Sequence, residues 1–130
     1  MSNIRHVVVI RKDLNLSPGL MAAQVAHISD QFMRKKLLDD KNESGAPSFY
    51  GNEWEWFEDP YLSVLAVNCL EDLMEISRYA KEQDLRVFTW EDTVPSPTFP
   101  GRSMKTMIGI SIGPDDFDRI KIVTGSLPLA

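Results

Sequence analysis

His27 is one of only two histidines in this chain, and it shares a helical face with Gln24 and Leu20, the three falling at i, i+4 and i+7. An imidazole can take up or release a proton near neutrality, and a neighbouring amide can orient a second group by hydrogen bonding. Polar residues on a helix also make ordinary structural hydrogen bonds, so this face alone leaves both uses open. What must position these side chains is a short apolar strand, Val7-Val8-Val9-Ile10, a charged turn, Arg11-Lys12-Asp13-Leu14, and a helix opened by Ser17-Pro18-Gly19. Ser17 is a good N-cap, and Pro18 suits the first helical position because its missing N–H needs no partner there. The order places a helix N-terminus beside a strand end, where α/β proteins commonly hold anions. Ala22, Ala23 and Ala26 are small enough to let that helix sit close against a sheet.

The rest of the chain supplies the layers. The pattern predicts a strand over Arg5–Ile10, a helix from Pro18 to about Leu37, a polar loop through the forties and a strand over Tyr61–Val67. Asn68 with Glu71 reads as a capping box for a helix running to Gln83, with Leu70, Leu73, Met74, Ile76 and Ala80 as its apolar stripe. Strands over Arg86–Thr89 and Thr106–Ile112 follow, then a short helical turn over Asp115–Ile120 after Gly113-Pro114. Strands alternating with helices predict a small three-layer α/β/α domain with a mixed four-stranded sheet covered on both faces. Tyr50, Trp54, Trp56 and Phe57 crowd into one stretch, where packing over a sheet edge or a subunit contact is favoured over stacking on RNA bases. Glu53, Glu55, Glu58 and Asp59 beside them would repel phosphate.

At 130 residues the chain fits one domain, and 43% hydrophobic with 25% charged residues excludes disordered and collagen-like classes. No apolar run approaches the length of a membrane span, and no signal peptide is evident. The single Cys69 has no partner for a disulfide, which suits a reducing cytoplasm. The two histidines and scattered carboxylates show no metal-ligand spacing, so no metal is expected. The net charge of −5 is unevenly spread: +3 over residues 1–41, −9 over 42–92 and +1 over 93–130. Arg11, Lys12, Arg34, Lys35, Lys36, Arg102 and Lys105 are therefore candidates for a positive face that meets phosphate.

The last quarter runs Asp92, a turn-rich stretch Pro95-Ser96-Pro97-Thr98-Phe99-Pro100-Gly101-Arg102-Ser103, the strand from Thr106, Gly113-Pro114 and finally Val123-Thr124-Gly125. Together with Arg11-Lys12-Asp13-Leu14 and Ala22-Ala23-Gln24 followed by His27, this resembles the type-2, archaeal and eukaryotic, peptidyl-tRNA hydrolase family. The family pattern is an RKDL turn, a GK-x-AAQ helix start with a following His, an Asp ahead of a Pro-Gly pair, an IGP turn and a terminal VTG. Where the family carries Lys after the helix-start Gly, this chain has Leu20, and after Asp92 it has Thr93-Val94 in place of Ala-Gly.

The resemblance implies hydrolysis of the ester joining a peptide to the tRNA ribose, without cofactor, in the cytoplasm and commonly by a homodimer. Such chemistry needs a held water, a proton acceptor and donors for the oxyanion. His27 and Asp92 are the titratable pair it points to, with either as the base, and Ser103 is the third catalytic candidate. Gly19 and Leu20 offer backbone N–H groups, Gln24 orients, and Lys12, Ser96, Arg102 and Lys105 are candidates for holding the substrate. Two other readings stay open: a noncatalytic module binding tRNA or protein on the same fold, and a hydrolase of another small ester or amide.

Overall fold

The computed structural model describes residues 3–40, 49 and 51–130. Strand β1 spans Ile4–Arg11 and leads through a 3-10 turn, Lys12–Leu14, into helix α1, Pro18–Ser29. Helix α2, Gln31–Asp40, and helix α3, Asn52–Glu58, precede strand β2, Leu62–Val67. Helix α4 covers Leu70–Glu82, strands β3 and β4 cover Val87–Pro95 and Ser103–Asp116, and helix α5, Phe117–Thr124, ends the regular structure. The four strands form one mixed sheet in the order β2-β1-β4-β3, with β1 parallel to β2 and antiparallel to β4.

β1 is a central strand, so both of its faces must be apolar. Val7 and Val9 pack with Leu73 and Ala80 of α4 and Ile120 and Val123 of α5. Val8 and Ile10 pack on the opposite face with Ile28 of α1 and with Val94 and Ile108. Helices therefore cover both faces, and the predicted three-layer architecture with its mixed four-stranded sheet is what the chain adopts.

Several local expectations change. The long helix predicted from Pro18 to Leu37 breaks at Asp30. Ser29 Oγ donates to the Ala26 carbonyl at 2.9 Å, and Gln31 Nε2 donates to the His27 carbonyl at 2.9 Å. The Ala26 carbonyl also takes the Asp30 backbone N–H at 3.2 Å, so backbone and side-chain donors together close the end of α1. Ala22, Ala23 and Ala26 face solvent, not the sheet; Gln24 and Ile28 are the buried positions of α1. Close approach is provided from the other side, by Gly109. A Cβ there would lie 2.6 Å from the Val9 carbonyl oxygen and 2.7 Å from Ile28 Cδ1.

Gly109 follows a bulge in which Trp90 pairs with Gly109 and Glu91 with Met107, leaving Ile108 unpaired and pointing into the α1-side core. Gly109→Ala must push β1 and β4 apart or lift α1. Its expected cost is about 2 kcal/mol, read as a drop of several degrees in a thermal melt; an unchanged melt would contradict this account of the packing.

The capping box predicted from Asn68 and Glu71 does not form: Cys69 is the N-cap of α4, without a side-chain cap bond. Met74 leaves the predicted stripe and is 54% exposed, while Ser77 takes a buried place beside Leu73 and Ala80. The aromatic-rich stretch of the fifties, for which the sequence pattern gives no element, forms α3. Its Trp56 packs edge-on against His6 at 5.2 Å and Phe32 at 5.8 Å, and Trp54 and Phe57 stack on each other nearer solvent. Tyr50 lies outside the described residues. Glu53 is buried and bonds Lys36 at 2.7 Å and Arg86 at 3.1 Å, tying α3 to α2 and to the residue before β3.

Candidate active site

The decisive contact joins α1 to the edge strand β3. Gln24 is only 3% exposed, yet its amide is bonded at both ends: Nε2 donates to Asp92 Oδ2 at 2.9 Å, and Oε1 accepts from the Trp90 indole N–H at 2.7 Å. A carboxylate only accepts and an indole only donates, so the two partners fix which way the amide points. Trp90 and Asp92 are two apart on a strand and present their side chains to the same face.

Asp92 does not stand in a loop, as the run of prolines suggested; it pairs with Thr106 inside β3. Val94, at the position where the family pattern carries Gly, is extended and buried in the α1-side core, a conformation suited to a β-branched residue. The second oxygen of Asp92, Oδ1, accepts the Thr93 backbone N–H at 2.8 Å. The Gln24 amide first, then this N–H, holds the Asp92 carboxyl below the usual carboxylate range, with a smaller pull from the charge of His27.

His27, one turn further along α1, is exposed and lies flat on Trp90, ring centroids 5.1 Å apart and planes at 18°. The fold thus brings Gln24, Asp92 and His27 together through Trp90, which sequence reasoning missed. Its spacing from Asp92 on one strand face was the available signal. Beside Asp92, its partner Thr106 accepts from Arg11 Nη1 at 2.9 Å. Arg11 is buried and forms a two-pronged pair with Asp13 at 2.7 and 2.8 Å, which raises the basicity of Arg11 and lowers that of Asp13.

Other sequence candidates lie elsewhere. Leu20 is half-buried in the first turn of α1, and its N–H is met by the Ser17 hydroxyl at 3.4 Å; Gly19 beside it is exposed. Ser96 Oγ accepts the N–H groups of Thr98 and Phe99, so it shapes the loop between β3 and β4. Arg102 is exposed in that loop, and Lys12 is exposed in the 3-10 turn. Ser103 pairs with Pro95, three rungs from Asp92, and Lys105 pairs with Thr93. Alternation along β4 turns both away from the face that carries Thr106, so neither joins the Gln24–Asp92–His27 group.

The expected positive face also contracts, because Arg11 and Lys36 are drawn inward onto Asp13 and Glu53. Among the described residues, no helix is long and apolar enough to cross a membrane.

Comparison with known proteins decides the family. The model of the family described as Peptidyl-tRNA hydrolase PTH2 matches residues 4–130. The chain belongs to this family. A relative named peptidyl-tRNA hydrolase from Methanopyrus kandleri is 38% identical over 127 residues, covering 96% of this chain and 97% of its own. Proteins of the same name from Nanoarchaeum equitans and Methanothermobacter thermautotrophicus are 34% and 31% identical over 97% of this chain, and 98% and 99% of their own. In this PTH2 chain, Gln24→Leu will raise the Asp92 pKa toward the ordinary carboxylate range by removing the largest cause of its depression. An NMR titration of the Asp92 carboxyl carbon reads the shift directly, and an unmoved titration would show that Gln24 is not what holds it down.

Proposed function

We propose that this chain hydrolyses the ester of peptidyl-tRNA to free tRNA and peptide, without a cofactor, as a single-domain enzyme. The observation that carries the site assignment is the Gln24 amide. It bonds the Asp92 carboxylate and the Trp90 indole at once, beneath an exposed His27 ring.

A carboxylate satisfied by two N–H donors is a weak base but a well-ordered anion. Asp92 therefore serves to hold the attacking water and to favour the imidazolium, and His27 takes the proton. Water adds to the ester carbonyl, and the ribose oxygen leaves with the proton from His27. Lys12 and Arg102, both exposed, are the proposed phosphate contacts.

A cytoplasmic homodimer is part of this proposal, and the exposed Trp54 and Phe57 offer apolar surface for a second copy to cover. The test is release of free tRNA from a defined peptidyl-tRNA by the purified protein. Turnover well above buffer is expected. Salt-sensitive tRNA binding without any release would instead identify a binding module, the reading that Leu20 favours by placing an apolar side chain where a cation would meet the substrate.

A further inference from the structure

Both outer strands of the sheet could expose main-chain groups, but the fold treats them differently. β2 is covered by the chain's last residues: Ala66 N–H donates to the Pro128 carbonyl and Ala130 N–H to the Val64 carbonyl, each at 3.0 Å. Among the described residues nothing pairs with the outer edge of β3. The ladder to β4 is anchored by Gly113 N–H donating to Arg86 at one end and Ser96 N–H donating to Arg102 at the other.

Alternation from both anchors turns the main-chain groups of Val87, Thr89, Glu91 and Thr93 away from β4. The last of these N–H groups, on Thr93, is taken by Asp92 Oδ1. An open run over Val87–Glu91 therefore ends where the carboxylate of the proposed site begins.

Hollows flank this edge on both faces of the sheet. One, of about 460 Å³, lies on the α4 side against Thr89, with Met74, Arg78, Lys81 and Met107 in its walls. The other, of about 380 Å³, lies on the opposite side against Phe88, with Phe32, Lys35 and Arg86. A strand laid along β3 would gain main-chain hydrogen bonds from the edge and drop successive side chains into the two hollows in turn.

We infer that this edge is the subsite for the peptide part of the substrate. The peptide extends along Val87–Glu91, parallel to β3, so that its C-terminal ester reaches Asp92 and His27. This inference rests on the hydrolase reading. Main-chain pairing recognises any sequence, and the hollows are wide and open enough to take varied side chains. Five strand residues span about 17 Å, which sets the peptide length that the edge can read.

The test uses the full chain and two sets of peptidyl-tRNAs: peptides of one to six residues, and a five-residue peptide N-methylated at each position in turn. KM is expected to fall about tenfold from one residue to five and then level off. N-methylation at alternate positions is expected to raise KM about tenfold, the positions between changing it less than twofold, with kcat little altered. Hydrolysis with a KM indifferent to length and to N-methylation overturns the subsite and leaves the hydrolase reading standing. No hydrolysis of any substrate overturns both.

Discussion

Asp92→Asn will lower kcat for peptidyl-tRNA by about a hundredfold or more, the usual scale for losing a participant in proton transfer, while KM changes only a few-fold. The substitution keeps size and shape but removes the charge proposed to hold the water and to balance a protonated His27. It also breaks local bonding. Asp92 accepts from Gln24 Nε2 on one oxygen and from the Thr93 N–H on the other, and an Asn side chain has only one oxygen to offer. One of these donors then faces an NH2 group, so the side chain loses its fixed orientation as well as its charge.

His27→Ala is expected to lower kcat on a similar scale, because it removes the proposed base. The double variant should be scarcely worse than either single one, since residues acting as a unit are not additive. Steady-state release of tRNA measures all three. Turnover of the Asn variant within threefold of wild type would remove Asp92 from the chemistry and leave it as a structural anchor for α1.

The start of α1 was legible in the sequence because its signal is local. Ser17 accepts the Leu20 N–H and Pro18 occupies the first turn, both features of the covalent chain itself. The central strand was equally plain, since Val7 to Ile10 must be apolar on both faces wherever the sheet is built. Motif order also drew His27, Gln24 and Asp92 together before any coordinate did.

The missed features depend on register and tertiary contact. Asp92 looked like a loop residue because prolines follow it, yet Pro95 ends an edge strand and its partner Ser103 makes no demand on a missing N–H. Trp90 drew no notice because a strand aromatic is ordinarily core. Its second use, donating to Gln24 and carrying His27 on its face, exists only when α1 crosses β3 at this distance. Gly109 and the Ile108 bulge set that distance, and no periodicity announces a bulge. Ser103 and Lys105 failed to join the site for the converse reason: their types suited the chemistry, but strand alternation sends them to the other face.

Acidification from pH 6.5 toward pH 4 will destabilise the wild-type protein through His6, the other histidine. This side chain is 1% exposed, its Nε2 meets no partner among the described residues, and the Trp56 ring packs perpendicular to it at 5.2 Å. Burial lowers its pKa from 6.5 to about 4. The unfolded chain therefore binds a proton throughout that interval while the folded chain refuses it. Stability rises with pH across the window, is fully present above the unfolded pKa, and is lost on the way down, by roughly 3 kcal/mol in all.

Asp13 and Asp92 act in the same direction but in a lower range, because their depressed carboxyls begin to matter only near and below the ordinary carboxylate value. His6→Phe keeps a flat ring against Trp56 and removes the titration, so denaturant melts between pH 4 and pH 6.5 should flatten in the variant and slope in the wild type. Parallel slopes would show that His6 is not the group responsible. The variant also separates two effects that overlap in any activity profile, the acid limb of the site itself and the unfolding driven by His6. In His6→Phe that unfolding is gone, and whatever acid limb remains belongs to the site.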